Sequence, residues 1–171
     1  MKNVLKGFNY FIEASRVLAR EPGVEEDVEI LLFGKTKKDE GPSFPLRTRN
    51  IAFVQSIRTI VELYSVAHLF AIPSLQDNLP NTILESMLCG TPVVGFSSGG
   101  IPEMIAHKES GYLAEYKSSD DLAAGMSWVL SSESYDQLSA KTRSLALERF
   151  SMDHSVEKHR NLYRKILNKD K

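Results

Sequence analysis

From His68 the chain reads His68-Leu69-Phe70-Ala71-Ile72-Pro73-Ser74-Leu75-Gln76-Asp77-Asn78-Leu79-Pro80-Asn81-Thr82-Ile83-Leu84-Glu85-Ser86-Met87-Leu88-Cys89-Gly90-Thr91-Pro92-Val93-Val94-Gly95-Phe96. Two short apolar runs, His68 to Ile72 and Pro92 to Phe96, have the length and composition of buried strands. Between them a polar loop opens at Pro73-Ser74, and Pro80 to Cys89 forms a helix that Gly90 ends. The same alternation extends in both directions. Upstream, Phe8, Phe11, Ile12, Ser15 and Leu18 recur at helical spacing from Leu5 to Arg20, and Pro22-Gly23 end that helix. Val28 to Phe33 is a strand stopped by Gly34. Lys35 to Asn50, with Gly41, Pro42 and Pro45, is a loop. Ile51 to Val54 is a strand, and Thr59 to Ala67 a helix. Downstream, a Gly99-Gly100 turn precedes a short helix at Pro102 to Ala106 and a strand at Gly111 to Ala114. Helices follow at Asp120–Leu130, Tyr135–Arg149 and Asp153–Asn168. Short apolar strands alternating with helices predict an α/β fold: a doubly wound, Rossmann-like parallel sheet with helices on both faces, forming one domain over 1–171. Ligands in such sheets lie beyond the carboxyl ends of the strands. That selects Gly34 onward, Gln55 to Ile57, Ser74 to Asn81 and Ser97 to Ile101.

Composition narrows the function class. Lys and Arg total 21 against 22 Asp and Glu, a net charge of -1, which argues against a nucleic-acid binder. One cysteine, Cys89, excludes an intrachain disulfide framework and fits a reducing cytosol. The sequence shows neither an apolar run of spanning length nor a secretory signal at its start, so the expected location is cytoplasmic.

The loop and helix from Ser74 to Glu85 carry the candidate chemistry. A helix first turn offers free backbone N–H groups and the positive end of the helix dipole, which together favour an anion such as phosphate. Pro80 suits the first turn because its absent N–H has no helical partner there. Asn81 and Glu85 are four apart and share a face. Glu85, one turn deeper, is placed to accept hydrogen bonds from sugar hydroxyls, and Asp77 lies in the loop. The plainer alternative makes Asn78 a helix cap and leaves Asp77 and Glu85 as solvated charges. Leu84, Met87 and Leu88 weigh against it by setting Glu85 beside an apolar face between two buried strands. His68, His107, His154 and His159 are scattered, and no metal-ligand cluster stands out.

Pro73-Ser74, Asp77, Glu85-Ser86-Met87 and Gly90-Thr91-Pro92-Val93-Val94 resemble the donor-site motif of the family 4 retaining glycosyltransferases of the GT-B fold. Gly99-Gly100-Ile101-Pro102-Glu103-Met104-Ile105, followed by Gly111-Tyr112-Leu113, is similar to that family's next block. Lys6-Gly7-Phe8 resembles the Lys-Gly element opening its donor domain, and Phe150-Ser151 with Tyr163 resembles its carboxyl-terminal helix. The resemblance implies transfer of a sugar from a nucleotide-diphosphate sugar to a saccharide or lipid-linked acceptor, with retention and without a metal or other cofactor, in polysaccharide or glycan synthesis. In the full-length enzyme it allows a peripheral place at the inner membrane face. By the same resemblance Glu85 holds the nucleotide ribose, Asp77 and Asn78 face the donor sugar, and the Asn81–Thr82 backbone meets the diphosphate. Lys6 neutralises that diphosphate as leaving group, and a wall near Val54 to Ile57, including Ser56, holds the base.

Two departures are visible. Asp77 stands where the motif has Glu, one methylene shorter, and Gln55-Ser56 replaces a usual Gly after Phe53-Val54. The resemblance also implies a central strand with a Gly-Arg pair ahead of Lys6-Gly7 and an amino-terminal acceptor domain, neither of them within 1–171. The expectation is therefore half an active site, inactive in isolation and weak for its donor. Unpaired backbone at a lost central strand is costly. Either the remaining strands close up, or the sheet edges pair between chains in a homo-oligomer. Two rival functions remain at this level: another GT-B enzyme such as a nucleotide-sugar epimerase, and a non-catalytic doubly wound binding domain. A hydrolase fits least, for want of a second carboxylate and a nucleophile elbow.

Overall fold

The computed structural model describes residues 4–34, 43–51 and 54–167. A 3-10 turn at Val4–Lys6 leads into α1 (Phe8–Leu18), a single turn α2 (Val24–Asp27) and strand β1 (Glu29–Phe33). Strand β2 (Arg47–Ile51), helix α3 (Ile57–Val66), β3 (Phe70–Ile72), α4 (Asn81–Leu88) and β4 (Val93–Phe96) follow. Then come α5 (Ile101–Met104), β5 (Gly111–Ala114), α6 (Ser119–Leu130), α7 (Tyr135–Phe150) and α8 (Met152–Leu167). Every strand pair is parallel, and β4 lies between β3 and β5.

The centre of the molecule is β4. All four of its residues are buried, and period-two alternation sends them to opposite sides. Val94 and Phe96 pack with Ala14, Leu18, Leu122, Ala123 and Met126, from α1 and α6. Val93 packs with Ile83, Met87, Ile101 and Leu145, from α4, α5 and α7. Helices thus cover both faces, as doubly wound architecture requires.

Two expectations need correction. The second strand is not Ile51 to Val54 but β2, Arg47–Ile51, which lies largely in the segment read as loop; Ala52 and Phe53 fall outside the described residues, as do 35–42. Its Arg-Thr-Arg-Asn sequence lacks the continuous apolar run of a central strand because β2 pairs on one side only, with β1, and keeps Arg47, Arg49 and Asn50 exposed. Arg49 Nε reaches Glu29 Oε1 at 3.2 Å across the pair.

The second correction concerns the sheet. Its strands neither form one sheet nor close up: the described strands make a two-stranded sheet, β1-β2, and a separate three-stranded sheet, β3-β4-β5. A cavity of about 930 Å³ lies between them, lined by Ile30 to Phe33 on one side and Phe70 to Ile72 on the other. Strands join a sheet only through backbone pairing in register, and among the described strands none pairs with both β1 and β3. Tyr64 of α3 ties the banks together, with its ring edge-on to Phe33 of β1 and to Phe70 of β3, each 5.5 Å between centroids.

This arrangement predicts a graded hydrogen-exchange pattern. The β4 amides, paired on both sides, should exchange slowest, and the β1 and β3 amides that point into the cavity should exchange far faster. Uniform protection across β1, β3 and β4 would contradict the two-sheet arrangement.

Candidate functional site

Parallel strands deliver their following loops to one edge, and the loops after β3 and β4 meet there. Gly7 makes the first closure. It adopts a left-handed φ of 61°, and an added Cβ would stand 1.8 Å from the Pro73 carbonyl oxygen. The Leu75 N–H donates to the Leu5 carbonyl at 2.8 Å. The Lys6-Gly7 element therefore rides on the loop that leaves β3, and Lys6 Nζ reaches Asp77 Oδ2 at 3.0 Å. The lysine side chain is 58% exposed and the aspartate 21%, so this is a pair at the mouth of a cleft, open to exchange with solvent or ligand.

The turn after β4 makes the second closure. The Gly100 N–H donates to the Asp77 carbonyl at 3.0 Å, and Ser98 Oγ donates to the Ser74 carbonyl at 3.0 Å. Any side chain at 100 would collide with the Asn78 carbonyl, 1.5 Å from an ideal Cβ. Backbone lies on backbone here, so the glycine pair is required by packing. Three segments distant in sequence, 6–7, 74–78 and 98–100, converge on one spot.

Helix α4 begins at Asn81, one residue later than the sequence suggests, with Pro80 extended at the N-cap. No side chain caps it; Asn78 is exposed and leaves the first-turn N–H groups free of side-chain partners. Asn81 and Thr82 are exposed beside them. Lys6, Ser74 and Thr82 line the cavity between the sheets, so this mouth and the cavity are continuous. Glu85, on the second turn, is exposed but not free: the Tyr64 hydroxyl donates to its Oε2 at 3.4 Å. Burial pushes the Tyr64 phenol well above the usual tyrosine range, and the Glu85 carboxylate adds to the shift.

The proposed base wall is less well gathered. Val54 is half-buried, and Ser56 is the N-cap of α3, its Oγ accepting from the Thr59 N–H at 3.4 Å. Both lie outside the cavity lining. The sequence reading placed Tyr64 within a helix from Thr59 to Ala67 and gave it no role. Its polar tip was the available signal, since a buried tyrosine hydroxyl needs a partner. Ser98 lay within the selected stretch Ser97 to Ile101, but its hydrogen bond to the Ser74 carbonyl is tertiary information. Among the described residues, no group of three His, Cys, Asp or Glu side chains gathers as a metal cage.

Parallel strands flanked by helices, with their loops gathered at one edge, are the architecture of one domain of the GT-B fold. Residues 1–132 match the family described as glycosyl transferases group 1, and the chain belongs to that family. It is similar to an uncharacterized glycosyltransferase of Haemophilus influenzae, 26% identical over 90% of this chain and 43% of that protein. It is similar to the N-acetyl-alpha-D-glucosaminyl L-malate synthase of Bacillus anthracis, at 27% over 86% of this chain and 40% of that protein. Among solved structures, Anabaena HepE in complex with UDP-glucose superposes with a TM-score of 0.73 at 22% identity, over 95% of this chain and 46% of that one. The chain spans less than half the length of these relatives. No described helix is long and apolar enough to cross a membrane.

Two outcomes follow from the geometry. Gly100→Ala should destabilise the protein by roughly 2 kcal/mol or more, because backbone must move, and calorimetry should show a midpoint lower by roughly 5 °C. A midpoint within a degree of wild type would contradict the close approach. The second concerns alkali. An unfolded tyrosine titrates near pH 10, while folded Tyr64 keeps its proton to higher pH. Its contribution to stability is thus complete below about pH 10 and lost as pH rises further. Tyr64→Phe removes that contribution, so stability above about pH 10 should fall less steeply than in wild type. Tyr112 and Tyr135, also raised, supply the remaining slope.

Proposed function

We propose that this chain is the nucleotide-sugar-binding half of a glycosyltransferase. The observation that carries the reading is the convergence of Lys6, Asp77 and the uncapped start of α4 at one strand edge. An anion there meets free N–H donors, a helix dipole and one lysine. In the proposal the donor diphosphate takes Asp77's place on Lys6. The exposed pair is weak enough to exchange, and a diphosphate carries more charge than one carboxylate. Lys6 then stabilises the charge that develops on the leaving diphosphate as its bond to the anomeric carbon of the sugar breaks and the sugar passes to an acceptor hydroxyl, which gives up its proton. Asp77, released, addresses the donor sugar with Asn78. Glu85 accepts from the ribose, and Val54 and Ser56 flank the base.

Further support comes from the likeness to a structure that holds UDP-glucose, and from a relative named as a synthase of N-acetyl-alpha-D-glucosaminyl L-malate. The reading extends to retention, metal independence and a saccharide or lipid-linked acceptor held by a second domain, in glycan synthesis at the cytoplasmic side. No further observation favours the epimerase or the non-catalytic domain.

The test is a thermal-shift titration with UDP, GDP and ADP. One of them should raise the unfolding midpoint, by an amount equivalent to about 2.7 kcal/mol at a hundred times its Kd. Glu85→Ala should remove most of that rise. No shift with any nucleotide, or an undiminished shift in the variant, would overturn the reading.

A further inference from the structure

Resting on that donor-site reading, we infer that Tyr64 is a positioning residue for Glu85. The buried phenol fixes one carboxylate oxygen and leaves the other for the ligand. A glutamate on an exposed helix surface samples several rotamers, and ordering it on binding has an entropic cost. A donor that holds Oε2 beforehand lowers that cost and leaves Oε1 for the ligand. The Tyr64 hydroxyl meets this need. It donates to Oε2 at 3.4 Å, longer than a typical O–H···O bond and within a small side-chain shift of one, from a residue only 2% exposed.

The phenol can serve as a fixed reference because it is held on all sides. Its ring stands edge-on between Phe33 and Phe70. Its own carbonyl accepts from Thr91 Oγ1 at 2.6 Å. The Thr91 carbonyl in turn accepts from Ser86 Oγ at 2.9 Å, and the Thr91 N–H donates to the Ser86 carbonyl at 3.0 Å. Ser86 is the neighbour of Glu85 on α4, so a closed circuit runs from Tyr64 through Thr91 and Ser86 to the helix that bears the carboxylate. A tyrosine serving only as core would need the ring but not the hydroxyl. Burial and the adjacent carboxylate also keep this phenol protonated, so it remains a donor at all working pH values.

The experiment is a double-mutant cycle on the full chain with Tyr64→Phe and Glu85→Ala. The Kd for whichever of UDP, GDP or ADP binds best is read by NMR titration, and the unfolding midpoint is measured alongside. Tyr64→Phe alone should raise Kd roughly fivefold, within the range of one ordinary hydrogen bond. In the Glu85→Ala background the same change should alter Kd by less than about twofold, because its effect passes through the carboxylate. An equal effect in both backgrounds would overturn the inference, as would a lowered midpoint with unchanged Kd. Sensitivity to Glu85→Ala with a wild-type Kd for Tyr64→Phe would overturn it while leaving the donor site standing. Failure of the wild-type chain to bind any of the three would overturn both.

Discussion

Strand β4 is the constraint on which the rest of the molecule depends. It pairs in parallel with β3 and β5 and buries side chains toward both helical layers. Because β3 and β4 run the same way, their following loops must leave at one edge, and because both strands are short the loops meet at once. Gly100 then lets one loop lie directly on the other, and the Lys6-Gly7 element completes the contact from the first helix. A ligand site made this way consists largely of backbone, which suits recognition of a phosphate more than of any particular side chain.

The two sheets give the site its second character. A cavity separates β1 from β3, and its mouth is lined by Lys6, Ser74 and Thr82. Tyr64 alone among the residues discussed touches both banks and the candidate ribose ligand, through Phe33, Phe70 and Glu85. Packing of the sheets and orientation of the carboxylate are therefore one mechanical problem, and a change at the interface between sheets has a direct route to the site.

Much of this was legible before any coordinates. The short apolar runs at His68 to Ile72 and Pro92 to Phe96 have the length of strands, and Gly90 and Gly99-Gly100 punctuate them, so the elements from 57 to 130 fall within two residues of their expected bounds. The edge strand Arg47–Ile51 was illegible because its alternation is polar, and only pairing with Glu29 to Phe33 reveals it. The division into two sheets was invisible for a related reason: each strand reads alike whether its neighbour is present or absent. At the site, Lys6 and Asp77 were both named, but their direct pairing is tertiary information, as is the role of Ser56 as a cap. Tyr64 was hidden within its helix, whose pattern says nothing of where a hydroxyl ends.

In the proposed function one strand edge, and no other surface, receives a nucleotide diphosphate. Amide chemical-shift mapping during titration with UDP-glucose and its guanosine and adenosine counterparts tests this most directly. Perturbations for at least one donor should concentrate at residues 5–7, 74–85 and 98–101. Perturbations clustered elsewhere, on α7 or α8 for example, or none with any donor, would contradict the proposed function.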